Sequence, residues 1–123
     1  MKPKILVARE VFPEVLEYLR PHFEADDNQA DVILGVEGLK ARLADKVGVM
    51  TAVSDPVTAE VIAAAPGLKA VCNFAVGYNN IDLVACTRAG IVATNTPGVL
   101  DDTTADLAWA LLMATARHIQ TSE

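Results

Sequence analysis

Residues 73–82 place the end of an apolar strand, a glycine and the start of a helix in one short run, NFAVGYNNID. Backbone N–H groups at such a turn point outwards and can hold a carboxylate, and the helix start adds a favourable partial charge. Because Gly77 has no side chain, a small anion can approach the backbone closely. The alternative is an ordinary tight turn between a strand and a helix, and the local sequence leaves both interpretations open.

A second polar cluster lies at residues 95–106, where Thr103 and Thr104 with neighbouring aspartates crowd the expected start of a helix. Redundant N-capping explains such a cluster without any ligand. The helix that follows, over residues 107–119, is apolar on most sides and therefore needs a surface to pack against. We expect it either to fold back over one face of the sheet or to pair with the same helix of a second chain.

Hydrophobic patterning alternates short aliphatic runs with helical periods along the whole chain. The runs at 4–8, 47–53, 68–76 and 91–94 predict buried strands, and 23–27 predicts a weak one. Helices are predicted from Pro13 to Pro21, at 38–45, at 54–65 with Ser54-Asp55-Pro56 as its start, and from Asn80 or Asp82 to Arg88 with Gly90 as its C-cap. This alternation predicts an α/β fold with a flavodoxin-like, doubly wound parallel five-stranded sheet in the order 2-1-3-4-5 and a long C-terminal helix.

Residues 32–36, with the sequence VILGV, are harder to place because they are apolar where a polar loop would be convenient. The stretch could form an extra edge strand or an exposed contact surface. The sequence favours neither interpretation over the other.

Composition excludes several classes of partner. Ten Lys and Arg face sixteen Asp and Glu, for a net charge of −6 without a basic block, so nucleic acid is not an expected partner. The absence of a run of eighteen apolar residues predicts no membrane span, and the apolar run at the N-terminus is too short for a signal peptide. Cys72 and Cys86 lack a C-x-x-C spacing, which predicts two reduced, semi-buried thiols and a cytoplasmic location.

Three segments together resemble the N-terminal portion of D-2-hydroxyacid dehydrogenases, nearest to the glyoxylate/hydroxypyruvate reductases. They read AVSDPVTAEVIAAAPGLKAV, NFAVGYNNID and GIVATNTPGVLDDTTADLAWALLMATARHI. The resemblance implies a smaller lobe that binds substrate and a larger NAD(P)-binding lobe inserted into it. Residues 1–100 are accordingly expected to form the flavodoxin-like substrate-binding lobe. Residues 101–123 are expected to form the helix that crosses to the NAD(P)-binding lobe, which this sequence does not include.

The resemblance also implies where substrate binds. The backbone of Val76 and Gly77, with Ala75 in the same loop, would hold the carboxylate of a 2-oxoacid. Val53 and Ser54, in the loop after the third strand, would line the same pocket. These residues follow two strands whose carboxyl ends meet at one edge of a parallel sheet, which is where such folds bind ligands.

The remaining implications concern cofactor, catalysis and partners. Thr104 would approach NAD or NADP in full-length family members, although we expect no cofactor bound to this chain, which has no G-x-G-x-x-G fingerprint. The catalytic arginine, glutamate and histidine of the family lie later in the chain, so no residue is assigned a catalytic or metal-binding role. We predict a fragment of an oxidoreductase that reduces small 2-oxoacids, in which this piece supplies only the site that binds the substrate carboxylate. We expect it to bind a small 2-oxoacid weakly, and it could form a homodimer through its C-terminal helix. The alternative is an isolated or engineered flavodoxin-like scaffold without activity.

Overall fold

A computed structural model describes residues 1–119 and 121 of the chain. Strands and helices alternate along the whole of this part. The strands are β1 (Lys4–Val7), β2 (Glu24–Asp27), β3 (Gly48–Thr51), β4 (Ala70–Asn73) and β5 (Val92–Thr94). The helices are α1 (Pro13–Leu19), α2 (Gly35–Leu43), α3 (Ala59–Ala63), α4 (Leu83–Ala89) and α5 (Asp101–Ala116).

The strands form one parallel sheet in the order β2-β1-β3-β4-β5, which confirms the predicted fold. The connection from β1 to β2 runs in the opposite direction across the sheet from the later connections. Right-handed crossovers therefore put α1 on one face and α2, α3 and α4 on the other. Helix α3 packs against both α2 and α4, so these three helices form a continuous layer.

The main core lies between the sheet and this three-helix layer. Side chains alternate between the two faces of a strand, and Leu6, Val49 and Val71 of β1, β3 and β4 all point into the same cluster. Leu39 and Leu43 of α2 meet them and have no exposed surface. Burial of a leucine side chain contributes roughly 1.5–3 kcal/mol, so this layer supplies much of the stability of the domain.

The opposite face of the sheet is covered only in part. Ile5, Met50 and Cys72 line an apolar hollow of about 440 Å³ beside Leu19 of α1. The thiol of Cys72 is therefore exposed and not semi-buried as predicted, whereas Cys86 is buried under the helical layer. The burial of Cys72 was mispredicted because the strand pattern shows which residues are apolar but not which face of the sheet is covered by a helix.

Helix α5 does not fold back over this open face, so that predicted alternative is wrong. None of its residues is buried, and Trp109 and Leu112 are 65% and 57% exposed. The helix also begins at Asp101, two residues before the predicted threonines, and no side chain caps it at Leu100. Pairing with a second chain remains a prediction.

Residues 32–36 form no strand, so that predicted alternative is also wrong. Helix α2 begins at Gly35, where a φ of 62° lets the chain turn, three residues before the predicted start. Leu34 and Val36 pack against the core, while Val32 and Ile33 are exposed. A contact role for the exposed pair stays a prediction.

The predicted start of α3 is wrong, whereas one of the two predicted starts of α4 and its predicted C-cap are confirmed. Helix α3 is capped by Thr58, whose hydroxyl accepts a hydrogen bond from Val61 N, and not by the predicted Ser54-Asp55 pair. In contrast, Asp82 caps α4 by accepting from Ala85 N, and Gly90 ends it with a φ of 70°. Four strands, β1, β3, β4 and β5, are shorter than their predicted runs because those runs extend into the loops at one or both ends.

No helix among the described residues is long and apolar enough to cross a membrane.

Candidate functional site

The five residues predicted to bind substrate lie in two loops that follow the adjacent strands β3 and β4. Val53 and Ser54 are exposed in the first loop, and Val76 and Gly77 are exposed in the second. The two loops lie side by side, and a Cβ built on Gly77 would lie 4.0 Å from Cγ1 of Val53. Ala75 is half-buried at the base of the second loop. The structure therefore brings the predicted residues together at one edge of the sheet.

The backbone carbonyl groups of residues 75–77 in the second loop all accept hydrogen bonds from other residues of the chain. Ala75 O accepts from Thr96 N at 2.9 Å, and Val76 O accepts from Asn95 Nδ2 at 2.8 Å. Gly77 O accepts from Nδ2 of Asn73, also at 2.8 Å. These bonds come from the ends of β4 and β5. They fix the direction in which each peptide unit of the loop points.

The amide groups of the same loop have no such partners. Among residues 1–119 and 121, no group accepts a hydrogen bond from the N–H of Ala75, Val76 or Gly77. Successive unpaired N–H groups in an exposed loop form a concavity suited to an anion. Gly77 has no positive φ, so its backbone conformation does not require glycine, and the missing side chain leaves the backbone of the loop accessible.

A buried polar network beneath the two loops was missed from the sequence. The hydroxyl of Thr51 donates to Oδ1 of Asn73 at 2.8 Å, and Nδ2 of Asn73 donates to Oδ1 of Asn80 at 3.1 Å. Thr51 and Asn73 are neighbours across the sheet at the last positions of β3 and β4. Polar residues that end two otherwise apolar strands were the available signal. Sequence reasoning considered Asn80 only as a helix cap.

Asp55 supports the first loop from below. Its side chain is fully buried, and Oδ2 accepts from Ala52 N at 2.8 Å. Burial raises the pKa of this carboxyl group, and the bond from Ala52 and the charge of Arg9 oppose that rise. Arg9 itself forms a bidentate pair with Asp31. Nη1 of Arg9 and Oδ1 of Asp55 are both buried without a partner among the described residues.

The residue expected to approach the cofactor lies apart from the two loops. Thr104, the predicted cofactor contact, lies exposed in the first turn of α5, and its backbone N–H donates to Leu100 O. Within the described part of the chain, no hydrogen bond joins α5 to the loops after β3 and β4. The sequence contains no G-x-G-x-x-G loop to hold a pyrophosphate. No group of three or more His, Cys, Asp or Glu that could hold a metal occurs in the described residues.

Comparison with known proteins decides the family. The sequence model described as "D-isomer specific 2-hydroxyacid dehydrogenase, catalytic domain" matches residues 5–122. The chain belongs to the D-isomer specific 2-hydroxyacid dehydrogenases. It is 44% identical over 119 residues to a glyoxylate reductase from Thermococcus onnurineus, and the match covers 97% of this chain and 36% of that protein. This chain spans about a third of the length of the curated glyoxylate reductases that it matches.

Solved structures share the fold of this chain. The TT0316 protein of Thermus thermophilus superposes with a TM-score of 0.83 at 37% identity, over 94% of this chain and 37% of that one. An NADPH-dependent glyoxylate/hydroxypyruvate reductase from Sinorhizobium meliloti, solved in complex with NADP and malonate, gives a TM-score of 0.72 at 35% identity. The match covers 94% of this chain and 34% of the reductase.

Proposed function

We propose that this chain supplies the carboxylate-binding surface for a small 2-oxoacid in a D-2-hydroxyacid dehydrogenase that uses NAD(P)H to reduce glyoxylate, or to reduce hydroxypyruvate to its D-2-hydroxyacid. The observation that carries the proposal is residues 75–77 of the loop after β4, whose three carbonyls accept hydrogen bonds while their three amides donate to no described residue. Val53 and Ser54 form the adjacent wall.

The chemistry suits a small carboxylate. Charge-assisted bonds from backbone N–H groups contribute about 1.5–3 kcal/mol each, and association opposes them by at least about 4 kcal/mol. For three such bonds the net favourable free energy is at most about 5 kcal/mol, so the dissociation constant should be roughly millimolar or weaker. The relative from Sinorhizobium meliloti was solved with malonate, which also carries carboxylate groups.

The proposed role is limited to binding and orientation. In the reductase reaction, NAD(P)H supplies a hydride to C2 of the oxoacid, and a cation and an acid must assist at the ketone oxygen. Thr104 is the one residue here that we assign near the cofactor. We therefore expect no turnover of glyoxylate with NADPH by the purified 123-residue chain.

The test is a series of proton–nitrogen correlation spectra of the labelled chain with hydroxypyruvate. Shifts confined to Ser54 and residues 75–77 support the proposal. Hydroxyacetone, a ketone without a carboxylate, should leave the same signals unmoved. Dispersed spectra that hydroxypyruvate does not change would favour the alternative, a folded scaffold without a binding role.

A pair of glycine variants sharpens this test. A Cβ at Gly77 makes only ordinary contact with Val53, so Gly77→Ala should fold normally while its methyl group hinders the anion. Gly67→Ala is the matched control, because a Cβ there meets only Lys46 O at 3.5 Å, away from the site. Weaker binding by the first variant alone supports the proposed surface, and equal binding by both counts against it.

We also propose that α5 is a separate unit from residues 1–100 and mediates pairing with a second copy. None of its residues is buried, and its exposed apolar side chains include Leu107, Trp109 and Leu111. Sedimentation equilibrium should show a dimer that Leu111→Glu converts to a monomer. Val84→Glu, at an exposed apolar position of α4, is the control and should leave the dimer intact.

A further inference from the structure

The side chain of Asn80 connects the two loops of the candidate site. We propose that Asn80 is a positioning residue, which locks the loop after β3 to the loop after β4 so that both present one surface to the carboxylate. The inference rests on the proposed function for its ligand. Asn80 itself lies between the second loop and α4 and touches neither the exposed surface of Val76 nor that of Ser54 through a hydrogen bond.

The two shortest hydrogen bonds from the Asn80 amide nitrogen hold the first loop. Nδ2 donates to Ala52 O at 3.0 Å and to Asp55 O at 2.9 Å. These two carbonyls bracket Val53 and Ser54, the two residues assigned to the pocket wall. One side chain thus determines the position of the whole exposed turn.

The carbonyl oxygen of the same amide reaches the second loop through Asn73. Nδ2 of Asn73 donates both to Oδ1 of Asn80 at 3.1 Å and to Gly77 O at 2.8 Å. Oδ1 of Asn73 is held in turn by the Thr51 hydroxyl. Since an amide side chain offers two donors and one acceptor oxygen, every group of Asn80 is used in joining the loops.

The backbone around Asn80 keeps this side chain in place. Asn80 O accepts from Val57 N at 2.8 Å, and Asp82 N donates to Val57 O at 2.9 Å. Val57 is fully buried and Ile81 is nearly so, and they form a parallel bridge between the segments that precede α3 and α4. The amide therefore projects from a rigid support.

The bonds of Asn80 determine how firmly both loops are held at the proposed carboxylate site. The bond from Asn73 to Gly77 O anchors the peptide unit at the end of the 75–77 segment. Without Asn80, Asn73 and the turn over residues 52–55 lose their common anchor. We expect both loops to become mobile and the anion to lose its preorganised donors.

The experiment compares three variants of the labelled full chain: Asn80→Ala, the isosteric Asn80→Asp, which cannot donate to the two carbonyls, and Asn79→Ala. Asn79 is an exposed neighbour whose side chain makes no hydrogen bond to a described residue, so it is the matched control. The readouts are the hydroxypyruvate dissociation constant from the Val76 and Gly77 signals, and nitrogen relaxation in both loops. Slow exchange of the Phe74 amide, which donates to Thr51 O, reports whether the sheet is intact.

The expected result is binding at least about tenfold weaker in both Asn80 variants, with Asn79→Ala unchanged. Order parameters should fall from about 0.85 to below about 0.6 in both loops while Phe74 stays protected. Binding or loop order like that of the native chain in Asn80→Asp would overturn the inference and leave the proposed function standing. If the native chain binds no hydroxypyruvate, the proposed function fails, and the relaxation data alone then decide whether Asn80 locks the loops.

Discussion

Replacement of Thr51 by valine tests the polar network at the ends of β3 and β4. Thr51 and valine have nearly the same shape, so Thr51→Val removes one hydroxyl and leaves the packing unchanged. That hydroxyl has no exposed surface and donates to Asn73 Oδ1 at 2.8 Å. Oδ1 of Asn73 keeps a longer contact with Asn80 Nδ2 at 3.3 Å, so it is not left wholly unsatisfied. We therefore expect a loss of about 1–2 kcal/mol in the free energy of unfolding.

A double-mutant cycle separates this bond from effects of shape. In an Asn73→Ala background, the Thr51 hydroxyl has lost its acceptor and is a buried group without a partner. Thr51→Val should then be neutral or slightly stabilising, because the valine removes that unsatisfied group. The coupling energy between the two positions should therefore be about 1–2 kcal/mol.

Urea unfolding followed by circular dichroism measures all four chains of the cycle. Thr94→Val is the control, since Thr94 is exposed on β5 and its hydroxyl donates to no described residue, so its unfolding free energy should change by less than about 0.5 kcal/mol. Additive effects of Thr51→Val and Asn73→Ala would refute the network, because residues that do not interact show no coupling.

Three further predictions concern a thiol, a carboxyl group and a helix cap. An aromatic disulfide reagent should modify Cys72 in the native chain and reach Cys86 only on unfolding, because Cys86 is buried and its burial raises its pKa. The pKa of Asp55 in the folded state lies above 3.8, so the protonated carboxyl group stabilises the fold fully below pH 3.8, and this stabilisation is lost as the pH rises through the folded-state pKa. The free energy of unfolding relative to that of Asp55→Asn should therefore fall as the pH rises through this range. Thr58→Ala should lower the free energy of unfolding by about 1 kcal/mol, and Ser54→Ala should not change it.

Each of these three has an outcome that would contradict it. Equal labelling rates for both thiols would mean that the face carrying Cys72 is covered in solution. A constant difference between the native chain and Asp55→Asn from pH 3 to pH 7 would mean that the carboxyl group titrates equally in folded and unfolded states. A larger cost for Ser54→Ala than for Thr58→Ala would restore the cap expected from sequence.

Much of the fold follows from local rules applied to this sequence. Aliphatic runs alternating with helical periods lead directly to the sheet order, since right-handed crossovers leave few other arrangements. Asp82 and Gly90 were predicted correctly because a cap depends on a few neighbouring residues. The position of the candidate site followed from two facts together: ligands bind at the carboxyl edge of such sheets, and NFAVGYNNID resembles one family.

The failed prediction of the α3 start and the missed role of Asn80 share a long-range cause. Ser54-Asp55-Pro56 is a good local helix start, but Asp55 instead turns back to Ala52 N, and Asn80, 25 residues away, holds its carbonyl. Local sequence cannot reveal a hydrogen-bonding side chain, such as that of Asn80, that comes from the next crossover connection. The same applies to Asn80, whose type suggested a cap while its neighbours in space made it a link between loops.

The hydrogen bonds that orient the candidate anion site all originate within residues 51–96. Thr96 N, Asn95, Asn73 and Asn80 hold the loop carbonyls, and α5 contributes no bond to them in the described structure. Binding of the carboxylate and the later hydride transfer are therefore separable: the first needs only oriented amides, and the second needs groups that act at the ketone. It follows that a variant shortened before Asp101 should bind hydroxypyruvate as well as the longer chain does. A loss of binding on removal of α5 would mean that the helix completes the site.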